Sequence, residues 1–72
     1  MNDMVKVSMN LPMSEAAVVA EMAQDRHITK TDVVRRAIAL EQFVEDVLAK
    51  NGKILIERED GTVERVLLPW RP

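Results

Sequence analysis

Eight residues, Met4-Val5-Lys6-Val7-Ser8-Met9-Asn10-Leu11, alternate apolar and polar side chains up to Pro12, and two amphipathic helical stretches follow at once. This order constrains the fold more than any other feature. A strand turns successive side chains to opposite faces, so Val5, Val7, Met9 and Leu11 share one face and Lys6, Ser8 and Asn10 the other. The next region of strand character comes only after both helices. The simplest way to satisfy the strand's backbone groups is therefore the same strand from a second copy. Such a ribbon presents Lys6, Ser8 and Asn10 of both chains on one surface.

Size argues the same way. The 72 residues include one Phe, one Trp and no Tyr, a small stock of bulky groups for an independent core. Domains of this size commonly depend on disulfides, metals or oligomerisation. No Cys is present and His27 is the single histidine, so disulfides are excluded and a zinc site has no ligand set. Oligomerisation is the remaining route. No apolar run is long enough to span a bilayer, and the N-terminus lacks a basic segment followed by an apolar one; the expected location is the cytoplasm.

After Pro12, which suits a helix start because its missing N–H is one of the orphans there, the spacing predicts a helix over about Met13 to Arg26. Ala16, Val19, Met22 and Ala23 recur at three- and four-residue intervals, with Glu15, Glu21, Gln24 and Asp25 largely elsewhere on the wheel. Asp25-Arg26-His27-Ile28 forms a short break. Thr29-Lys30-Thr31-Asp32 opens a second helix, with Thr29 as N-cap and Asp32 at N3 approximating a capping box. This helix is expected from Lys30 to about Lys50, where Asn51-Gly52 supplies a left-handed stop at one of the two residues. Val33, Val34, Ala37, Ile38, Leu40, Phe43, Val44, Val47 and Leu48 give it a wide apolar arc, suited to packing on its own chain and on a partner. Arg35 and Arg36 read as a solvated face, or as partners for acids a turn away, Asp32 lying four residues before Arg36.

Strand, "Leu-Pro", first helix and the opening "Thr-Lys-Thr-Asp-Val-Val-Arg-Arg-Ala-Ile" together resemble the ribbon-helix-helix family of the Arc, MetJ and CopG kind, over Met4 to about Leu48. The resemblance implies an α+β, mainly α, intertwined homodimer with an intermolecular antiparallel ribbon. It also implies that the ribbon enters the DNA major groove while the start of the second helix holds the phosphate backbone. Carried over by position, Lys6, Ser8 and Asn10 become the base readers and Thr29, Lys30 and Thr31 the phosphate clamp. His27 departs from the Gly often found in that family's interhelix turn, although His is among the residues enriched at positive φ.

The chemistry of these residues agrees with the carry-over. A two-stranded ribbon fits the major groove; Lys6 can donate to guanine O6 or N7, Asn10 can pair with adenine N6 and N7, and Ser8 specifies less. First-turn amides and the helix dipole favour an anion at the start of the second helix. Each residue also has a plainer role: the ribbon's polar set as the wet face of a sheet, Thr29 as an ordinary cap, His27 as a turn residue.

Charge weighs against nucleic acid at first sight. The formal net charge is -2, whereas a DNA footprint usually shows as a basic domain. The deficit is local. Residues 1–40 balance, and the excess lies in residues 41–72, where Glu41, Glu45, Asp46, Glu57, Glu59, Asp60 and Glu64 outnumber Lys50, Lys53, Arg58, Arg65 and Arg71.

Residues 1–50 are thus expected as the dimerisation and DNA-binding domain, and residues 51–72 as a C-terminal β-hairpin extension with a short tail. Lys53 to Arg58 and Thr62 to Leu68 are strand-like runs around Glu59-Asp60-Gly61. Two registers are open. A two-residue Asp60-Gly61 turn faces Glu57 against Glu64, and a three-residue loop with Gly61 as bulge sets Leu55 opposite Arg65. Pro69-Trp70-Arg71-Pro72 reads as a tail with Trp70 as anchor. An isolated hairpin is marginal in water, so this one should dock, whether on the helices, on its twin or on another protein.

The expected function is a sequence-specific transcriptional regulator, most simply a repressor, with double-stranded DNA and a second copy as partners. Higher-order association on DNA and a protein partner for the hairpin are compatible with it. Two alternatives stand beside it: an antitoxin of a toxin-antitoxin pair with autoregulatory DNA binding, and a dimeric protein-interaction module that binds no DNA. No catalytic constellation, cofactor motif or metal cluster is legible, so no enzyme activity is expected.

Overall fold

The computed structural model describes residues 3–70, in the order α1 (Met13–Arg26), α2 (Lys30–Ala49), β1 (Leu55–Glu57) and β2 (Val63–Arg65). It is a small α+β chain, mainly helical, with one two-stranded antiparallel sheet among the described residues. The chain divides into two units, one ending at Arg35 and the other beginning at Arg36, so the boundary falls inside α2.

In the first unit, Pro12 takes φ -53 and ψ 148 and stands just before the helix, where its carbonyl accepts the amides of Glu15 and Ala16, both at 3.0 Å. The ring sets φ and the absent N–H leaves no donor to satisfy. Helix α1 ends at His27, which adopts φ 55, ψ 44. The His27 amide donates to Gln24 O at 3.3 Å and the Ile28 amide to Ala23 O at 3.0 Å. These are the two bonds of a Schellman motif, made here with histidine in the left-handed position usually given to glycine. The turn expected at Asp25-Arg26-His27-Ile28 thus turns on His27.

Helix α2 opens on Thr29, whose Oγ1 accepts the Asp32 amide at 3.0 Å while its carbonyl accepts the Val33 amide at 3.1 Å. Its far end repeats the same solution. Asn51 has φ 62, its amide donates to Leu48 O at 3.1 Å, and the Gly52 amide donates to Val47 O at 2.8 Å. Gly52 is required for a steric reason: a Cβ there would lie 2.6 Å from Val47 Cγ1 and 2.8 Å from Val47 O. Asn51 therefore supplies the left-handed turn and Gly52 the close approach.

In the second unit, β1 and β2 pair with Leu55 opposite Arg65, Ile56 opposite Glu64 and Glu57 opposite Val63. The three-residue loop is the one adopted. Arg58 donates its amide to Thr62 O at 2.7 Å, and the Gly61 amide returns to Arg58 O at 2.9 Å with Gly61 at φ 90. This is a tight turn closed by a glycine bulge, a common three-residue hairpin. Asp60 Oδ1 accepts both the Thr62 amide at 3.0 Å and the Thr62 hydroxyl at 2.7 Å. These bonds hold the Asp60 carboxyl below its ordinary value of 3.8, the backbone bond contributing most. Arg58 reaches diagonally across the strands to Glu64 through two bonds of 3.3 Å, and Val66 extends the ladder by donating to Ile54 O at 2.8 Å.

Burial is scarce. Among the described residues Ala23, 7 % exposed, is the single buried side chain. Val19, Ala20, Ile28, Val33 and Val34 are half-buried in the first unit, and Val44, Val47, Leu48, Ile54, Val66 and Leu68 in the second. Phe43 is 63 % exposed, and Ile38 and Leu40 also face water. Trp70, expected as a tail anchor, is likewise 63 % exposed; Arg71 and Pro72 lie outside the described residues. No helix among the described residues is long and apolar enough to cross a membrane.

Candidate nucleic-acid interface

Thr29, Lys30 and Thr31 are brought together by the first turn of α2. All three are exposed. A helix start has orphan amides, and here the cap removes one of them: Asp32 N–H is taken by Thr29 Oγ1. The amides of Lys30 and Thr31 precede the first intrahelical bond, at Val33, and find no acceptor among the described residues. Two donors and the positive end of the helix dipole thus meet at one exposed end, and Lys30 adds a positive charge to the same turn. That combination suits a phosphate oxygen.

The acid in this turn is managed by its neighbour. Asp32 Oδ1 lies 3.5 Å from Arg35 Nη1. The sequence offers Arg36 four residues on as well as Arg35 three residues on, and the ion pair goes to Arg35. Arg36 makes no ion pair among the described residues, which leaves it the freer cation on this stretch of helix. The capping box is half formed: Thr29 caps Asp32, while the Asp32 carboxylate turns to Arg35.

Lys6, Ser8 and Asn10 lie in residues 3–12, which form neither helix nor ladder. Among the described residues no backbone hydrogen bond links positions 3–11 to any other; the network begins at the Pro12 carbonyl. Both faces of the segment are open. Val5 is 80 % and Val7 73 % exposed, and Met4, Met9 and Leu11 are exposed with them. No backbone pairing orders the Lys6 set, whereas the start of α2 and the Thr29 cap fix the backbone of the Thr29 set.

Comparison with family models, with curated proteins and with solved structures returned no match for this chain.

Proposed function

We propose that the chain is a sequence-specific DNA-binding regulator of the ribbon-helix-helix kind. Two copies pair their residues 4–11 antiparallel, and the ribbon enters the major groove. The observation that carries this reading is the segment before Pro12, which has strand alternation in sequence, exposed apolar side chains at Val5, Val7, Met9 and Leu11, and no backbone hydrogen bond to any other described residue. Pairing with a second copy satisfies the backbone groups and covers Val5, Val7, Met9 and Leu11 together. It also sets Lys6, Ser8 and Asn10 of both chains on the opposite face, where Lys6 addresses guanine and Asn10 adenine. The free amides of Lys30 and Thr31 then fix the ribbon's register by holding phosphates.

The test is selection of DNA from a random duplex pool, with Lys6→Ala/Asn10→Ala as the comparison protein after both are confirmed as folded dimers. An enriched motif that disappears in the variant, with affinity falling steeply as salt rises, is the expected result. No enrichment by a folded dimer sinks the DNA reading. It would favour instead a protein-interaction module, the reading to which the net charge of -2 lends weight.

A further inference from the structure

The end of α2 carries a chemical feature that DNA binding does not use. Asn51 is followed by Gly52, the dipeptide in which a side-chain amide is most easily attacked by the next backbone nitrogen, because glycine offers no Cβ to hinder the approach. In that reaction the Gly52 nitrogen loses its proton and bonds to Asn51 Cγ, and ammonia leaves. The resulting five-membered imide then takes up one water. Opening on one side gives an ordinary aspartyl residue, and on the other an isoaspartyl residue whose main chain runs through Cγ.

The nucleophile in this step is the Gly52 amide nitrogen, and the fold has engaged it. Its N–H donates to Val47 O at 2.8 Å as one bond of the motif that closes the helix, with Asn51 held at φ 62 and its own amide on Leu48 O. A donated hydrogen bond stabilises the protonated amide and lowers its nucleophilicity. It also fixes the nitrogen against Val47, at a glycine that already lies too close for a Cβ. Asn51 itself is exposed, so water and base have access.

We propose that Asn51 is a conditional deamidation site, silent while the α2 cap is closed and reactive when the cap opens. The conversion is one-way. An isoaspartyl residue inserts an additional main-chain carbon between positions 51 and 52, so the Gly52 amide no longer reaches Val47 O in register and the cap cannot re-form. The aspartyl product keeps the backbone but sets a negative charge at the carboxyl end of α2, where the dipole disfavours it. Either product marks a molecule that has spent time open between α2 and the hairpin.

The test incubates the full chain at mildly alkaline pH beside a linear synthetic peptide of residues 46–57 and follows the mass gain of amide-to-acid conversion, with peptide mapping for isoaspartate at position 51. The folded chain is expected to react at least ~10-fold more slowly than the peptide, the factor for an opening free energy of ~1.4 kcal/mol. Urea sufficient to abolish the helical circular dichroism should bring the two rates together. Asn51→Gly, which suits the left-handed position, should remain helical and lose the signal. Equal rates for chain and peptide without urea, a protection that survives full unfolding, or conversion mapped elsewhere than position 51 would each overturn the proposal. So would an isoaspartyl product in which hydrogen exchange at Gly52 remains as slow as in the parent.

Discussion

Residues 4–11 and residues 54–66 both have the sequence pattern of strands, yet among the described residues only the second segment finds a backbone partner. The hairpin has Asp60 and Gly61 between its two halves, so each half finds its partner a few residues away and the loop residues form the bonds that hold it. The N-terminal segment has Pro12 and a helix at its end. It carries the same alternation without a turn, and none of its backbone groups bonds to another described residue's backbone. Alternation states what a segment can pair with; turn chemistry states whether the partner is local.

Substitutions on either side test this contrast, and the largest effect should come from Val7→Asp. If residues 4–11 are covered by a second copy, an aspartate there buries a charge, costs more than ~3 kcal/mol and abolishes the concentration dependence of melting. In a chain that functions alone, with Val7 73 % exposed, the same change stays within about 0.5 kcal/mol. Thermal denaturation across a range of protein concentrations separates the two outcomes. Next come Lys6→Ala and Asn10→Ala, each expected to weaken binding to the selected DNA by about 1–3 kcal/mol while the melting curve is unmoved. Titration of both variants against matched and scrambled duplexes would show a uniform loss instead if these residues merely attract phosphate.

Gly61→Val addresses the hairpin. No atom lies within 4 Å of a Cβ at that position, so its cost is backbone alone, about 1–2 kcal/mol from φ 90. The loss should be confined to amide exchange in the hairpin, at Arg58 and Val66, with helical content unchanged; melting of both helices would contradict the local account. Arg58→Ala should cost less, ~0.2–1 kcal/mol, because the Glu64 pair is exposed. The smallest effect belongs to Asp60. Its folded-state pKa is lowered, so the stability it contributes is present above 3.8 and is lost as pH falls through the lower folded value. An NMR titration of Thr62 should follow that midpoint, and a midpoint above 3.8 would refute the hydrogen-bonded assignment.

The helices were legible because their ends carry local chemistry. Pro12 and Thr29 start them, and the bounds Met13–Arg26 and Lys30–Ala49 lie within a residue of those expected from spacing. Which residue would take the left-handed position at the second end was not legible. Asn51 and Gly52 both tolerate it, and only the contact with Val47 assigns the glycine to the following place. The hairpin register is ambiguous for a similar reason, since Gly61 serves either loop until its amide is seen on Arg58 O. The sequence spacing pointed to Arg36, four residues after Asp32, as its partner, and the ion pair forms with Arg35 instead because a three-residue spacing also brings side chains together on a helix. For Lys6, Ser8 and Asn10 the missing information is of another kind: no backbone hydrogen bond among the described residues orders their segment, and under the proposed pairing a second copy would.

If two copies pair as proposed, a chain whose described residues bury one alanine gains most of its burial only on pairing, which ties its stability to its own abundance. Under the proposed pairing, newly made copies at low dosage stay open to proteases, and those that meet a partner escape. Degradation then falls as synthesis rises, so the cellular level responds to expression with a threshold rather than in proportion. The nearly coreless protomer would in this way act as a filter against leaky transcription of its own gene.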